Sequence, residues 1–162
     1  MSTEDNKRAF VRIVRDVINA GDTELARELF DENFTVRRGG LQTTAKLLTS
    51  ETTAITGEGM SSLDGFIRGL ASMRRAFSDF NLDIDESSLV AEGDQVAGIW
   101  KLDAVHNGPF FGIEATGARV VMEEAGIMRF ADGKLVEGWF LVDELGFLAA
   151  LGAVKVDAGV SS

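Results

Sequence analysis

The stretch ARVVMEEAGIMRFADGKLVEGWFLVDELGFLAALG, residues 118–152, decides the fold. Its first part, ARVVMEEAGIMRF, is rich in β-branched and apolar residues and reads as a strand. ADGK follows, and Asp132 and Gly133 are residues that tolerate the backbone of a tight turn. LVEGWFLV is a second strand, so the two form a hairpin. Asp143 then opens a short helix, DELGFLAALG.

Working outward, QVAGIWKLDAVH (95–106) is a further strand, reached through the turn EGD. LDIDESSLVA (82–91) reads as the strand before it. A helix is predicted over 62–77, with Ser61 or Ser62 as N-cap and Phe66, Ile67, Leu70, Met73 and Phe77 facing inward. Between Gly39 and Ser62 the chain is rich in Gly, Ser and Thr, with room for a short helix near TTAKLLTSE, and reads mainly as a mobile cover. At the N-terminus, Phe10, Ile13, Val14, Val17 and Ile18 form one stripe of a helix over 3–20. Gly21 ends that helix and Asp22 caps a second, TELARELF. Helices first and a meander second predict an α+β domain, with helices on the concave side of a curved antiparallel sheet.

Composition narrows the function. The chain has 162 residues, enough for one domain, read here as 1–152 with a tail over 153–162. It lacks cysteine, which excludes thiolate nucleophiles and Cys-based metal sites, and His106 is its single histidine. No metal site is expected. Acids outnumber bases 26 to 16, which argues against nucleic acid and against an anionic membrane surface. The opening MSTEDNKRAF has no apolar core of a signal peptide, and no run of about 18 apolar residues suggests a membrane span. The expected location is the cytoplasm.

Three segments carry a family resemblance. HNGPFFGIEATGARV (106–120) resembles the T-H-x-G-x-F-x-G-I-x-P-T-G-x-x-V stretch of SnoaL-like polyketide cyclases. RFADGKLVEGWFLVDELGFLAALG (129–152) resembles their closing R-x-x-D-G-K-I-x-E-x-W-x-x-x-D-x-L-G segment, and AFSDFNLDIDESSLVAEGDQV (76–96) their A-F-P-D…E-G-D-x-V segment. The resemblance implies the cone-shaped nuclear transport factor 2-like fold, in which N-terminal helices and a bent sheet enclose one pocket. Relatives on that scaffold include aldol cyclases, hydroxylases, isomerases and epoxide hydrolases, so fold alone names no reaction.

Within this frame Asp143 matches the aspartate of W-x-x-x-D-x-L-G, which the resemblance makes the catalytic acid/base. Its other reading is a plain helix N-cap. His106 either donates to a developing oxyanion or pins the loop HNGPFFG. Trp100 shares strand parity with His106, so both can line the pocket. Trp139, Phe10 and Phe110 are candidate aromatic contacts, though core packing also accounts for them. Glu123 and Glu124 should face opposite ways, Arg129 keeping parity with Glu123; Glu124 and Arg129 are candidate polar contacts. Against the family pattern, Ala115 replaces a proline, Ile99 an arginine, and the chain has no tyrosine.

The function expected is cofactor-free acid/base chemistry, foremost intramolecular aldol cyclisation of a polyketide-like, apolar or aromatic molecule. A hydroxylase, an epoxide hydrolase and a non-catalytic binding protein stay open as alternatives. A homodimer or higher homo-oligomer is expected through the convex sheet face, with Phe140 and Val142 supplying apolar area.

Overall fold

The computed structural model describes residues 2–39 and 62–154. The 39–62 stretch read as a cover, apart from its end residues, and the tail from 155 onward lie outside the described residues. Helix α1 (Thr3–Arg12) starts at a capping box: Asp5 N–H donates to Ser2 Oγ at 3.1 Å, and Ser2 N–H donates back to the Asp5 carboxylate at 3.0 Å. It continues without a break into a π-helical segment, Ile13–Asn19, whose wider turns are marked by Ala20 N–H donating to Arg15 O. Gly21, at φ 80°, stops it, and Asp22 caps helix α2 (Thr23–Leu29) by accepting from Leu25 N–H at 2.9 Å. The predicted hairpin of helices therefore holds, with one stretch wound wider than expected.

Six strands follow: β1 (Phe30–Gly39), β2 (Phe77–Asp83), β3 (Val90–Glu92), β4 (Gln95–His106), β5 (Arg119–Ala131) and β6 (Lys134–Val142). The sheet runs β1-β6-β5-β4-β2, with β3 also paired to β4. β4 and the β5–β6 hairpin lie where alternation and turn residues put them. Three readings are corrected. Helix α3 (Leu63–Ala76) is capped by Ser62, but Phe77 begins β2 instead of ending the helix. Residues 82–91 are not one strand: Asp85 caps a 3-10 turn, Glu86–Ser88, which divides β2 from the short β3. Finally, β1 was not anticipated, and it pairs parallel with β6, so the sheet is antiparallel except at that edge.

Helix α4 (Glu144–Ala150) closes the described chain. α1, the π-helical segment and α3 supply apolar side chains to one face of the sheet, and the core lies between them. Two polar ties fix this arrangement. The Asn19 side chain donates to Leu82 O (2.9 Å) and accepts from Leu82 N–H (2.8 Å), which pins the π-helical end to β2. Arg74 donates to the carbonyls of Ile18 and Asn19, satisfying the same helix end. Among the described residues no helix is long and apolar enough to cross a membrane.

Candidate functional site

Strand parity decides what faces the hollow. On β4 the buried residues are Val96, Trp100, Leu102, Ala104 and His106; on β5 they are Val120, Met122, Glu124, Met128 and Phe130. Between this face and the helices lies a pocket with a cavity volume of ≈ 100 Å³. Its walls are apolar and aromatic: Phe10, Ile13, Val14 and Ile18 from the N-terminal helix, Phe66, Leu70 and Met73 from α3, and Phe30, Phe34, Trp100 and Phe140 from the strands. Among its described lining residues, two are ionisable, Arg38 and Glu124.

Those two residues meet. Arg38, near the end of β1, donates from Nη2 to Glu124 Oε1 at 2.8 Å. Glu124 Oε2 accepts from Trp100 Nε1 at 2.9 Å. The Trp100 ring is seated by Gly126, where a Cβ would come within 2.8 Å of the ring and 2.6 Å of the Trp139 carbonyl oxygen. Phe10 meets the same ring edge-on at 5.3 Å, and the Arg38 guanidinium lies 5.6 Å from the Phe140 centroid. Glu124 is 7% exposed, so its charge is compensated by one guanidinium and one indole N–H, not by water. Among the described lining residues, the site is thus an apolar chamber with one charge-paired polar corner.

The structure places Trp100, Phe10 and Glu124 on the pocket wall. Arg129 is elsewhere. It faces outward on β5 and pairs with Glu137 at 3.3 Å, so its candidacy as a pocket contact is corrected. Trp139 is likewise outward and 42% exposed, beside Ile99 and Ile127, because Phe140 takes the inward position on β6. That also corrects the apolar outer patch, which is built from Trp139 and Leu141 and not from Phe140 and Val142. Phe110 is buried in a separate aromatic cluster with Phe77 (5.1 Å) and Phe147 (5.8 Å).

His106 belongs to that second cluster, 5.2 Å from Phe77 and fully buried. Thr116 closes on its ring: Oγ1 is 3.0 Å from Nδ1, and Thr116 N–H donates to Nδ1 at 3.4 Å. Burial pushes its pKa below the usual histidine value, with an interaction at the Gly108 backbone offsetting part of that. It ties the 106–117 loop through Gly117 N–H to its own carbonyl as well. Asp143 ends up exposed, accepting from Gly146 N–H at 3.0 Å as the N-cap of α4. Neither side chain is among the described residues that line the pocket.

Arg38 is the residue that sequence reading missed. A signal was present: in FTVRR the apolar Phe34 and Val36 alternate with Thr35 and Arg37, a strand pattern that puts Arg38 on the apolar side.

The profile of SnoaL-like polyketide cyclases matches residues 41–151. No protein with a curated description matches the chain in sequence. Among solved structures, the chain is similar to a candidate SnoaL-like polyketide cyclase from Jannaschia sp. CCS1, with TM-score 0.74, 19% identity, and coverage of 93% of this chain and 94% of the other. IdmH of Streptomyces antibioticus, a candidate polyketide cyclase, is similar at TM-score 0.72 and 25% identity, covering 91% and 98%. AclR of Streptomyces galilaeus, a candidate hydroxylase, is similar at TM-score 0.71 and 22% identity, covering 95% and 100%.

Proposed function

The chain belongs to the SnoaL-like polyketide cyclase family, and from that membership we propose that its pocket closes a ring in a polyketide-like small molecule by an intramolecular aldol reaction. The observation that carries this reading is a buried carboxylate, Glu124, in the wall of an aromatic chamber. The apolar walls suit a carbon-rich chain or ring system and hold it folded, so that two of its carbonyl groups meet.

In this mechanism Glu124 removes a proton from the carbon next to one carbonyl. The enolate attacks a second carbonyl of the same molecule, and protonated Glu124 returns its proton to the alkoxide formed. A carboxylate has lone-pair positions beyond the two occupied by Arg38 and Trp100, so the bound pair leaves it able to accept a proton. Protons beside a carbonyl are acidic enough for this chemistry to need neither a metal nor an organic cofactor. We place it in the cytoplasm, in keeping with the acid-rich, cysteine-free composition.

Asp143 is the rival base, through its match to the family motif, and His106 its rival helper. Both stand outside the described lining, which favours Glu124. Supplying an aryl-substituted 1,5-diketone and following the cyclic ketol by chromatography separates the candidates. E124Q is expected to lose about 10²–10⁴-fold in turnover, and D143N to stay near the wild-type rate. The reverse result assigns the chemistry to Asp143.

A second reading has an observation of its own. Both Glu124 oxygens are already bonded, which suits a binding pocket as well as a catalytic one. Binding of the diketone with no product from wild-type protein would favour that reading. In either case we propose that two copies pair through the outer sheet face, where Val90, Ile99, Ile127, Trp139 and Leu141 are exposed together.

A further inference from the structure

Asn107 is the one asparagine of the sequence that precedes a glycine, Gly108. That order carries a chemistry of its own. A glycine nitrogen has no Cβ beside it and its backbone turns readily, so it can reach the side-chain carbonyl of the residue before it. Gly108 has to be glycine, because a Cβ there would stand 2.4 Å from Arg75 O and 3.2 Å from Ala76 Cα. Packing of this loop against the end of α3 thus fixes a glycine after Asn107, while Asn107 itself stays exposed to water.

The fold ties down each reacting group. Gly108 N–H donates to Ala76 O at 2.9 Å, and Asn107 N–H donates to the same oxygen at 2.9 Å. The Asn107 side chain donates from Nδ2 to Ser78 Oγ. Just before the pair, His106 N–H donates to Ala118 O at 2.9 Å.

We propose that Asn107 is a site of spontaneous deamidation, held in check by the latch that Ala76 and Ser78 form and released when that latch opens. In the reaction the Gly108 nitrogen gives its proton to hydroxide and bonds to Asn107 Cγ. The Cγ–Nδ2 bond breaks, and ammonia leaves with a proton taken from water, which returns the hydroxide. Water then opens the cyclic imide at either carbonyl, leaving aspartate or isoaspartate. Attack on Cγ requires the Gly108 N–H to leave Ala76 O, so the rate follows the open population of the latch.

The isoaspartyl product routes the main chain through the former side chain and adds a methylene between His106 and Gly108. The junction has no room for it, since even a Cβ on Gly108 would collide with Arg75 O. Modification therefore unties the loop from Ala76 and loosens His106, which lies buried against Phe77. One exposed amide sets how long that cluster keeps its packing.

The test ages the full wild-type chain in mildly alkaline buffer, folded and in urea. The tryptic peptide 102–119 holds one amide side chain, Asn107, so its mass gain and its isoaspartyl methylation report this site alone. The folded chain should convert about tenfold or more slowly than the unfolded one. S78A releases the Asn107 amide and should convert about two- to tenfold faster than folded wild type. The isoaspartyl fraction, separated by ion exchange, should unfold at lower urea than the unmodified chain. Equal rates in the folded and unfolded chains, or no conversion in the unfolded chain, overturn the proposal, and that comparison needs no variant to fold. An unchanged rate in S78A overturns the part given to Ser78, and an unchanged urea midpoint overturns the loosening of His106.

Discussion

Arginine–glutamate pairs lie on both faces of the same sheet. On the inside, Arg38 and Glu124 meet at 2.8 Å with side chains 18% and 9% exposed. On the outside, Arg129 and Glu137 meet at 3.3 Å with side chains 40% and 31% exposed. The residue types are identical and neighbours in sequence are split between them, Glu123 facing out and Glu124 in, Arg37 reaching Glu137 while Arg38 reaches Glu124. What separates the pairs is water. Outside, each charge is solvated with or without its partner; inside, each depends on the other. The same alternation sorts the tryptophans, Trp100 into the chamber and Trp139 onto the surface.

The contrast breaks most sharply by removing one cation from each pair. R38M strands a buried carboxylate and should lower the free energy of unfolding by about 3–5 kcal/mol. R129M should lower it by no more than about 1 kcal/mol. Urea titration of both variants at one pH checks this, and equal losses would erase the distinction.

Acid sharpens the comparison next, because His106 is as buried as the inner pair but has no charge partner among the described residues. Its folded pKa lies below the ordinary histidine value of about 6.5. The unfolded chain therefore takes up a proton that the folded one refuses, so this contribution to stability is full above pH ~6.5 and is lost as the pH falls below it. Asp5 and Asp85, whose pKa values are also lowered by hydrogen bonds to Ser2 and Ser87, respond nearer their usual range of about 4 and leave that window clear. The urea midpoint of wild-type protein should drop between pH 7.5 and pH 5, and H106F should drop less. A wild-type midpoint that does not move would contradict the assignment.

The smallest effect on stability is expected from the outer face. Trp139→Glu should change the unfolding free energy by about 0.5 kcal/mol or less in the monomer, yet shift the light-scattering mass at micromolar protein from dimer to monomer. A wild-type mass equal to the monomer would end the pairing proposal.

How far the sequence discloses all this depends on distance along the chain. The β5–β6 hairpin and the cap at Asp143 are set by residues within a few positions of one another, so alternation and turn chemistry reveal them. The opposite facing of Glu123 and Glu124 follows from period alone. Which of the two faces inward does not, and the same ambiguity misassigned Trp139 and Phe140. β1 was hidden more deeply. Its opening residues Asp31, Glu32 and Asn33 read as polar, its register is irregular between Phe30 and Thr35, and its partner is β6, a hundred positions away. The polar corner shares that fate, since Arg38 and Glu124 are 86 residues apart and meet through a parallel strand pairing that no local pattern announces.

The π-helical segment Ile13–Asn19 has a consequence for how this chamber can change through descent or by design. A π-helical stretch is equivalent to one extra residue set into an α-helix. Deleting a single residue there would restore ordinary winding and turn α1 by about 100° relative to the residues that follow. Phe10 would leave the roof of the chamber and another side chain of α1 would take its place, while every strand kept its register. One codon thus re-faces the pocket's ceiling without disturbing the floor that carries Arg38, Trp100 and Glu124.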